Sequence, residues 1–182
     1  RHLALHRHSG YWQQYCPSLN ASPWPNPRSH LGGNRLGYSD LQFYAKSHLV
    51  PFGEFIPPEF RWIVNWLQIP LSNFSPGIQP KPLRAAGQRI GMSICYEDAF
   101  GEELITQLPE AGLLANLSNV AWFGDSLAPG QHLQISRMRA LETARPMLRA
   151  TNTGVTGIID DRGHVTGQLP TFAEGVLQGS VQ

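Results

Sequence analysis

No aspartate or glutamate occurs before Asp40, and no glutamate before Glu54. Lysine and arginine form no run, and the formal net charge of +1 gives no electrostatic footprint for nucleic acid. The 182 residues hold two cysteines, Cys16 and Cys95, with no CxxC and no Cys/His cluster. This argues against a disulfide framework and a structural zinc site, and it leaves the redox compartment unread. No metal and no cofactor is expected. No stretch reaches the roughly 18 apolar residues of a membrane span, and no signal peptide is visible. The chain opens on Arg1 and has no methionine before Met92, so a piece of a longer product is expected.

What is present suits a single domain. Hydrophobic residues make up 41% of the chain, enough for a real core, and five tryptophans argue against general disorder. Residues 1–38 stand apart. They are acid-free, rich in histidine, proline and tryptophan, and without a period of 2 or 3.6, so weak structure is expected there. From residue 39 to 182 the composition is that of an ordinary domain.

Along that second part, Leu41–Tyr44 reads as a short strand running into Lys46, broken by Val50-Pro51-Phe52-Gly53. Phe60–Ile69 reads as a helix that is apolar nearly all round, hence buried or in contact with lipid. A Pro/Gly-rich loop spans Asn73–Leu83. Arg89–Cys95 reads as a strand, Ala99–Leu108 as a helix with Glu102 and Glu103 in its first turn, and Gly112–Ser118 as a buried strand. Gln131–Ala144 reads as a helix whose stripe is Ile135, Met138 and Leu141, stopped by Pro146. Strands are expected over Met147–Asn152, Gly154–Ile159, His164–Leu169 and Phe172–Val181, with a hairpin turn at Asp160–Gly163. Strands alternating with helices, then a run of strands, predict an α/β domain with a mixed sheet or a layered α+β domain.

Three places carry candidate chemistry. In Ser93-Ile94-Cys95-Tyr96-Glu97 a cysteine sits at a strand end before a helix, where backbone N–H groups favour a thiolate able to attack a carbonyl. Its ordinary reading is a buried structural cysteine. In Tyr44–Glu54, Lys46 offers a fixed positive charge to a developing oxyanion, and Glu54 offers a proton carrier or an orienting group. The ordinary reading is a solvated loop. In Asn116–Gly124, Asn119, Trp122 and Phe123 suit a pocket lining, or simply cap a sheet. His132 and His164 read as surface or capping residues.

Taken in order, YAKSHLVPFGEFIP, SICYE, NLSNVAWFGDS and RMRALETARPMLRATNTG resemble the apolipoprotein N-acyltransferase family of the nitrilase (carbon-nitrogen hydrolase) superfamily. The likeness runs from about residue 40 to the end. It implies a nitrilase-like α-β-β-α sandwich, here incomplete on its N-terminal side. It implies a bacterial inner-membrane enzyme with a periplasmic catalytic domain. The acyl donor would be a phospholipid at the membrane surface, and the acceptor the α-amino group of a diacylglyceryl-cysteine at a lipoprotein's N-terminus. Cys95 would hold the acyl chain as a thioester, Lys46 would stabilise the oxyanion, and Glu54, Tyr96 and Glu97 match supporting positions. The aromatic segment 55–69 would form an apolar rim or dip into the interface.

Two departures stand out. The family's catalytic base is a glutamate upstream of the lysine, whereas the first glutamate here comes after it. Val120 stands where the family usually has aspartate, and disturbed hydrogen bonding is expected there. Two rival expectations remain: a soluble nitrilase-type amidase that uses the same cysteine, and a degenerate, non-catalytic fragment.

Overall fold

The computed structural model describes residues 2–7, 42, 44–51, 54–57, 59, 62, 74–78, 81–85 and 87–181. Apart from Trp62, the expected helix over Phe60–Ile69 lies outside the described residues, as do the bulk of the 1–38 segment and residues 73, 79 and 80 of the loop over Asn73–Leu83.

Among the described residues, eight strands form two sheets. The larger holds β2 (Leu83–Ala85), β3 (Gln88–Ile94), β4 (Leu113–Ser118), β5 (Met147–Thr151), β6 (Gly157–Ile159) and β7 (Val165–Gln168), side by side in chain order. Strands β3, β4 and β5 are parallel, and the pairs β2–β3, β5–β6 and β6–β7 are antiparallel. The smaller sheet pairs β1 (His2–Arg7) with β8 (Gly175–Ser180), antiparallel. The β1 strand departs from the expectation of weak structure at residues 2–7 alone. Six residues are too few for a period to show, and their ladder partner lies at the other end of the sequence.

Alternation along the strands gives the large sheet two different faces. One carries Leu113, Leu148 and Ile158, and Leu177 of β8 and Val181 pack on it. The other carries Leu114, Met147 and Ile159, which meet Leu133 and Ala140 of the helix α2 (Ala128–Thr143). Helix, sheet and ribbon therefore form three stacked layers, as expected of part of a nitrilase-like sandwich.

Two helices differ from the sequence reading. The expected helix over Ala99–Leu108 is broken: a 3-10 turn at Cys95–Ala99, one α turn, α1 (Gly101–Leu104), and another 3-10 turn at Ile105–Gln107. The buried Glu97 carboxylate takes the Ile94 N–H at 2.7 Å and tightens the first turn. Helix α2 begins three residues earlier than expected, at Ala128, because Pro129 suits its first turn. Its buried face is Pro129, Leu133, Ser136 and Ala140, while Met138 and Leu141 of the expected stripe are exposed. At Ser136 the physical reason is the fully buried Arg149 of β5, whose guanidinium finds a polar partner on the helix above it. At the hairpin, Asp160 accepts the N–H groups of Arg162 and His164 at 2.9 and 2.7 Å, as the turn reading expects.

Candidate active site

Parallel strands end on one side of a sheet, and the segments leaving their carboxyl ends share a crevice. Here Cys95 comes directly after β3, Asn119 after β4 and Asn152 after β5. The Cys95 Sγ lies 3.9 Å from the Asn119 carbonyl oxygen. Asn152 donates to Asn119 Oδ1 at 2.7 Å and accepts the Val120 N–H at 3.0 Å. The Val120 backbone N–H is satisfied by Asn152. Its side chain is fully buried against Gly154, where an added Cβ would come within 2.6 Å.

Cys95 adopts φ 55°, a left-handed conformation that non-glycine residues take only under constraint. Part of that constraint is Glu97, whose carboxylate accepts five hydrogen bonds. Tyr44 Oη (2.9 Å) and the Ile94 N–H (2.7 Å) reach Oε2; the Ser47 N–H (2.6 Å), Ser47 Oγ (3.0 Å) and the His48 N–H (3.1 Å) reach Oε1. One buried charge thus ties the lysine-bearing loop to the cysteine turn. Burial, with the charge of Glu97 added, pushes the Tyr44 phenol well above its usual range.

That loop delivers Lys46, which is buried and bonded through Nζ to both oxygens of Glu54 at 2.8 and 2.7 Å. The Val50 N–H adds a third contact to Glu54 at 2.8 Å. The loop is held from behind by Gly77, whose N–H reaches the Lys46 carbonyl at 2.7 Å. A Cβ on Gly77 would lie 2.5 Å from the Ala45 oxygen, so only glycine allows this approach. Tyr96 and Phe100 meet edge to face at 4.9 Å, and the His48 ring stacks on Phe100 at 3.6 Å.

Burial pushes the Cys95 thiol up. The Lys46 charge and the Tyr96 backbone N–H pull it down, while Glu54 and Asp98 add to the rise. The expected thiolate-favouring helix start is therefore corrected: the cysteine opens a 3-10 turn, and desolvation outweighs the local donors.

The structure thus brings Cys95, Lys46, Glu54, Glu97 and Asn119 together, with Tyr96 beside them. Trp122 and Phe123 sit on a 3-10 turn, Ala121–Phe123, and stand in solvent at 85% and 50% exposure rather than lining a cavity.

Sequence reasoning missed a second polar group beneath the site. Asp98, Arg149, Asn116 and Ser136 are fully buried together. Arg149 Nη1 donates to Ser136 Oγ (2.8 Å), Asn116 Oδ1 (3.0 Å) and Asp98 Oδ2 (3.3 Å). Asp98 also accepts Ser136 Oγ at 2.6 Å and meets His132 Nε2 at 2.7 Å. His132 is therefore part of this packing, not a surface residue; His164, beside Asp160 at 3.1 Å, is the exposed turn residue expected. Burial pulls the Arg149 guanidinium down, and the charge of Asp98 opposes this. The one signal in the sequence was an arginine inside the otherwise apolar strand Met147–Thr151.

The Carbon-nitrogen hydrolase family profile matches residues 26–182. The chain is 60% identical over 150 residues to an apolipoprotein N-acyltransferase of Nitrosomonas europaea, covering 81% of this chain and 30% of that protein. It is 49% identical over 187 residues to one of Verminephrobacter eiseniae, covering 97% and 34%. The chain thus spans about a third of the length of these curated relatives. Among solved structures, a carbon-nitrogen hydrolase from Helicobacter pylori superposes with TM-score 0.54 at 15% identity, covering 60% of this chain and 45% of that one. A superfamily member from Xanthomonas campestris gives 0.54 at 19% identity, covering 76% and 51%. Both likenesses concern the fold.

Proposed function

The chain belongs to the carbon-nitrogen hydrolase family, and from that premise we propose that it carries the nucleophile-bearing part of an apolipoprotein N-acyltransferase. Its place is the bacterial inner membrane, with the site on the periplasmic side. Among the described residues no helix is long and apolar enough to cross a membrane.

The observation that carries this reading is the left-handed Cys95 turn knitted by Glu97 to the Lys46–Glu54 pair. Cys95 Sγ attacks the ester carbonyl of a phospholipid. The carbonyl oxygen gains negative charge beside the Lys46 ammonium, and the C–O bond to the glycerol breaks as the glyceryl oxygen takes up the proton lost by the thiol, leaving an S-acyl cysteine and a lysophospholipid. The α-amino nitrogen of a diacylglyceryl-cysteine then attacks the thioester, the C–S bond breaks, and an amide forms as the sulfur recovers its proton. The thiol starts protonated, because burial raises it. We assign that proton to Glu54, whose charge acts on the thiol, yet Lys46 and Val50 already hold both its oxygens. The first step is therefore slow unless a further carboxylate serves as base, a contribution worth about 10²–10⁴-fold.

Trp122 and Phe123 support a lipid substrate. They stand exposed three and four residues after Asn119, whose carbonyl touches the nucleophile, and aromatic rings favour the bilayer interface.

Phosphatidylethanolamine vesicles and a synthetic diacylglyceryl-cysteine peptide provide the test. A mass gain of one acyl chain on the peptide is expected, absent with Cys95→Ala. Free fatty acid without acylated peptide would mean that water resolves the thioester, as in an amidase, and would overturn the transferase reading.

A further inference from the structure

Among the hydrogen bonds around Cys95, one comes from a residue with no part in the proposed chemistry. Asn116 is fully buried on β4 and donates through Nδ2 to the Cys95 carbonyl at 3.0 Å and to Ser93 Oγ at 3.0 Å. Its Oδ1 accepts from Arg149 Nη1 at 3.0 Å and from the Ser118 hydroxyl. An asparagine amide fits two ways round until a neighbour decides. Arg149 decides, because a guanidinium only donates: the oxygen must face it, so the NH₂ must face Cys95.

We infer that Asn116 and Arg149 form a positioning relay for the nucleophile, in which Arg149 fixes the amide of Asn116 and Asn116 holds the Cys95 carbonyl in its left-handed turn. Released from that bond, Cys95 relaxes towards an ordinary φ, and its sulfur swings away from the Lys46 charge. Stability is a poor account of Arg149. Its Nε and Nη2 have no partner among the described residues, and a buried guanidinium with unmet donors costs more than an apolar side chain of its size. Asp98, His132 and Ser136 hold Arg149 in register from the cysteine turn and from α2.

The relay rests on Cys95 being the nucleophile, but its test needs no acyl transfer. The 182-residue chain is alkylated with iodoacetamide, and peptide mapping separates Cys95 from Cys16. The charged groups acting on the thiol are Lys46, Glu54 and Asp98, with Arg149 also coupled to Cys95 by charge, and Asn116→Ala alters none of them. Asn116→Ala is expected to slow Cys95 at neutral pH by about tenfold, one unit of thiol titration. The gap should close well above that titration. Mere loosening of the core would expose the sulfur and speed the reaction instead. Arg149→Gln, which accepts as well as donates and so frees the amide, is expected to slow Cys95 in the parent and to slow it clearly less in the Asn116→Ala background, where only the lost Arg149 charge still acts. Arg149→Lys, again donor-only, should restore most of the rate. A parental or faster rate in Asn116→Ala overturns the relay, as does an Arg149→Gln loss that persists undiminished in that background. Should Arg149→Gln fail to melt cooperatively, Asn116→Ala alone decides. An inactive parent that still shows these alkylation differences would defeat the transferase reading and leave the relay standing.

Discussion

Both faces of the large sheet bury apolar side chains, but on the α2 face a buried polar network is added to them. Towards the β1–β8 ribbon lie Leu113, Leu148, Ile158 and Leu177, an apolar layer with no polar side chain in its cluster. Towards α2, the strand ends that lead into the crevice carry Asn116, Ser118 and Arg149, with Asp98 and Ser136 packed over them. Apolar burial is non-directional and tolerates small shifts. A hydrogen-bonded network fixes angles, and it is costly when half satisfied. The first face supplies stability, the second supplies stability and geometry together, and the network lies directly beneath the backbone turn whose geometry a nucleophile needs.

The sharpest way to break that division is Glu97→Gln. It turns one of the two acceptor oxygens into an NH₂ set among donors, so stability and geometry should fall together. Unfolding in urea is expected to lose about 4 kcal/mol, given the usual worth of hydrogen bonds to a buried charge, and Cys95 alkylation should slow in parallel. A normal alkylation rate in the destabilised variant would uncouple the cysteine turn from this carboxylate. Next in size is Ile158→Ala on the ribbon face, expected to cost about 3 kcal/mol. Its Cys95 alkylation rate should match the parent's; a slowed rate would mean that the two faces are not independent.

The alkaline limb of stability sharpens the comparison further. Cys95 and Tyr44 both hold their protons more tightly folded than unfolded. Their contribution is complete below the unfolded cysteine value of about 8.5 and is lost as pH rises towards the folded values. Thermal midpoints measured across that range should fall. In Tyr44→Phe, which also removes the bond to Glu97, the phenol's share of the alkaline drop should vanish; an unchanged slope would count against its coupling to the fold. The smallest effect is expected of Trp122→Ala. Its side chain is exposed, so stability should move by about 0.5 kcal/mol or less, while retention on phosphatidylethanolamine vesicles should weaken. Parental retention would remove Trp122 from lipid contact.

Much of this architecture was legible in the residues. The strand ending at Ile94, the buried strand to Ser118 and the helix ahead of Pro146 come from period and punctuation. The motifs around Lys46, Cys95 and Asn119 name a site that the structure gathers in one crevice. The features that stayed hidden have a common cause, namely partners distant along the chain. Nothing local to Glu97 foretells bonds to Tyr44, Ser47 and His48, about fifty residues away. The stripe Ile135, Met138 and Leu141 looked like the core of α2 because all three are large and apolar, yet Met138 and Leu141 are exposed. The true inner face joins Leu133 and Ala140, which enter the apolar core, to Ser136, which meets Arg149 and Asp98. Strand β1 finds its partner at the far end of the chain, as the pairs Arg7–Gly175 and His2–Ser180 show, a distance over which no local pattern carries information.

The proposed chemistry stands or falls on Cys95 accepting an acyl chain from a lipid. Intact-mass analysis of the chain after incubation with phosphatidylethanolamine vesicles, with Cys95→Ser alongside, decides it. A gain of one acyl mass on the parent alone, removed by hydroxylamine, is the predicted result. No gain on a cooperatively melting parent, or an equal gain on Cys95→Ser, would contradict it.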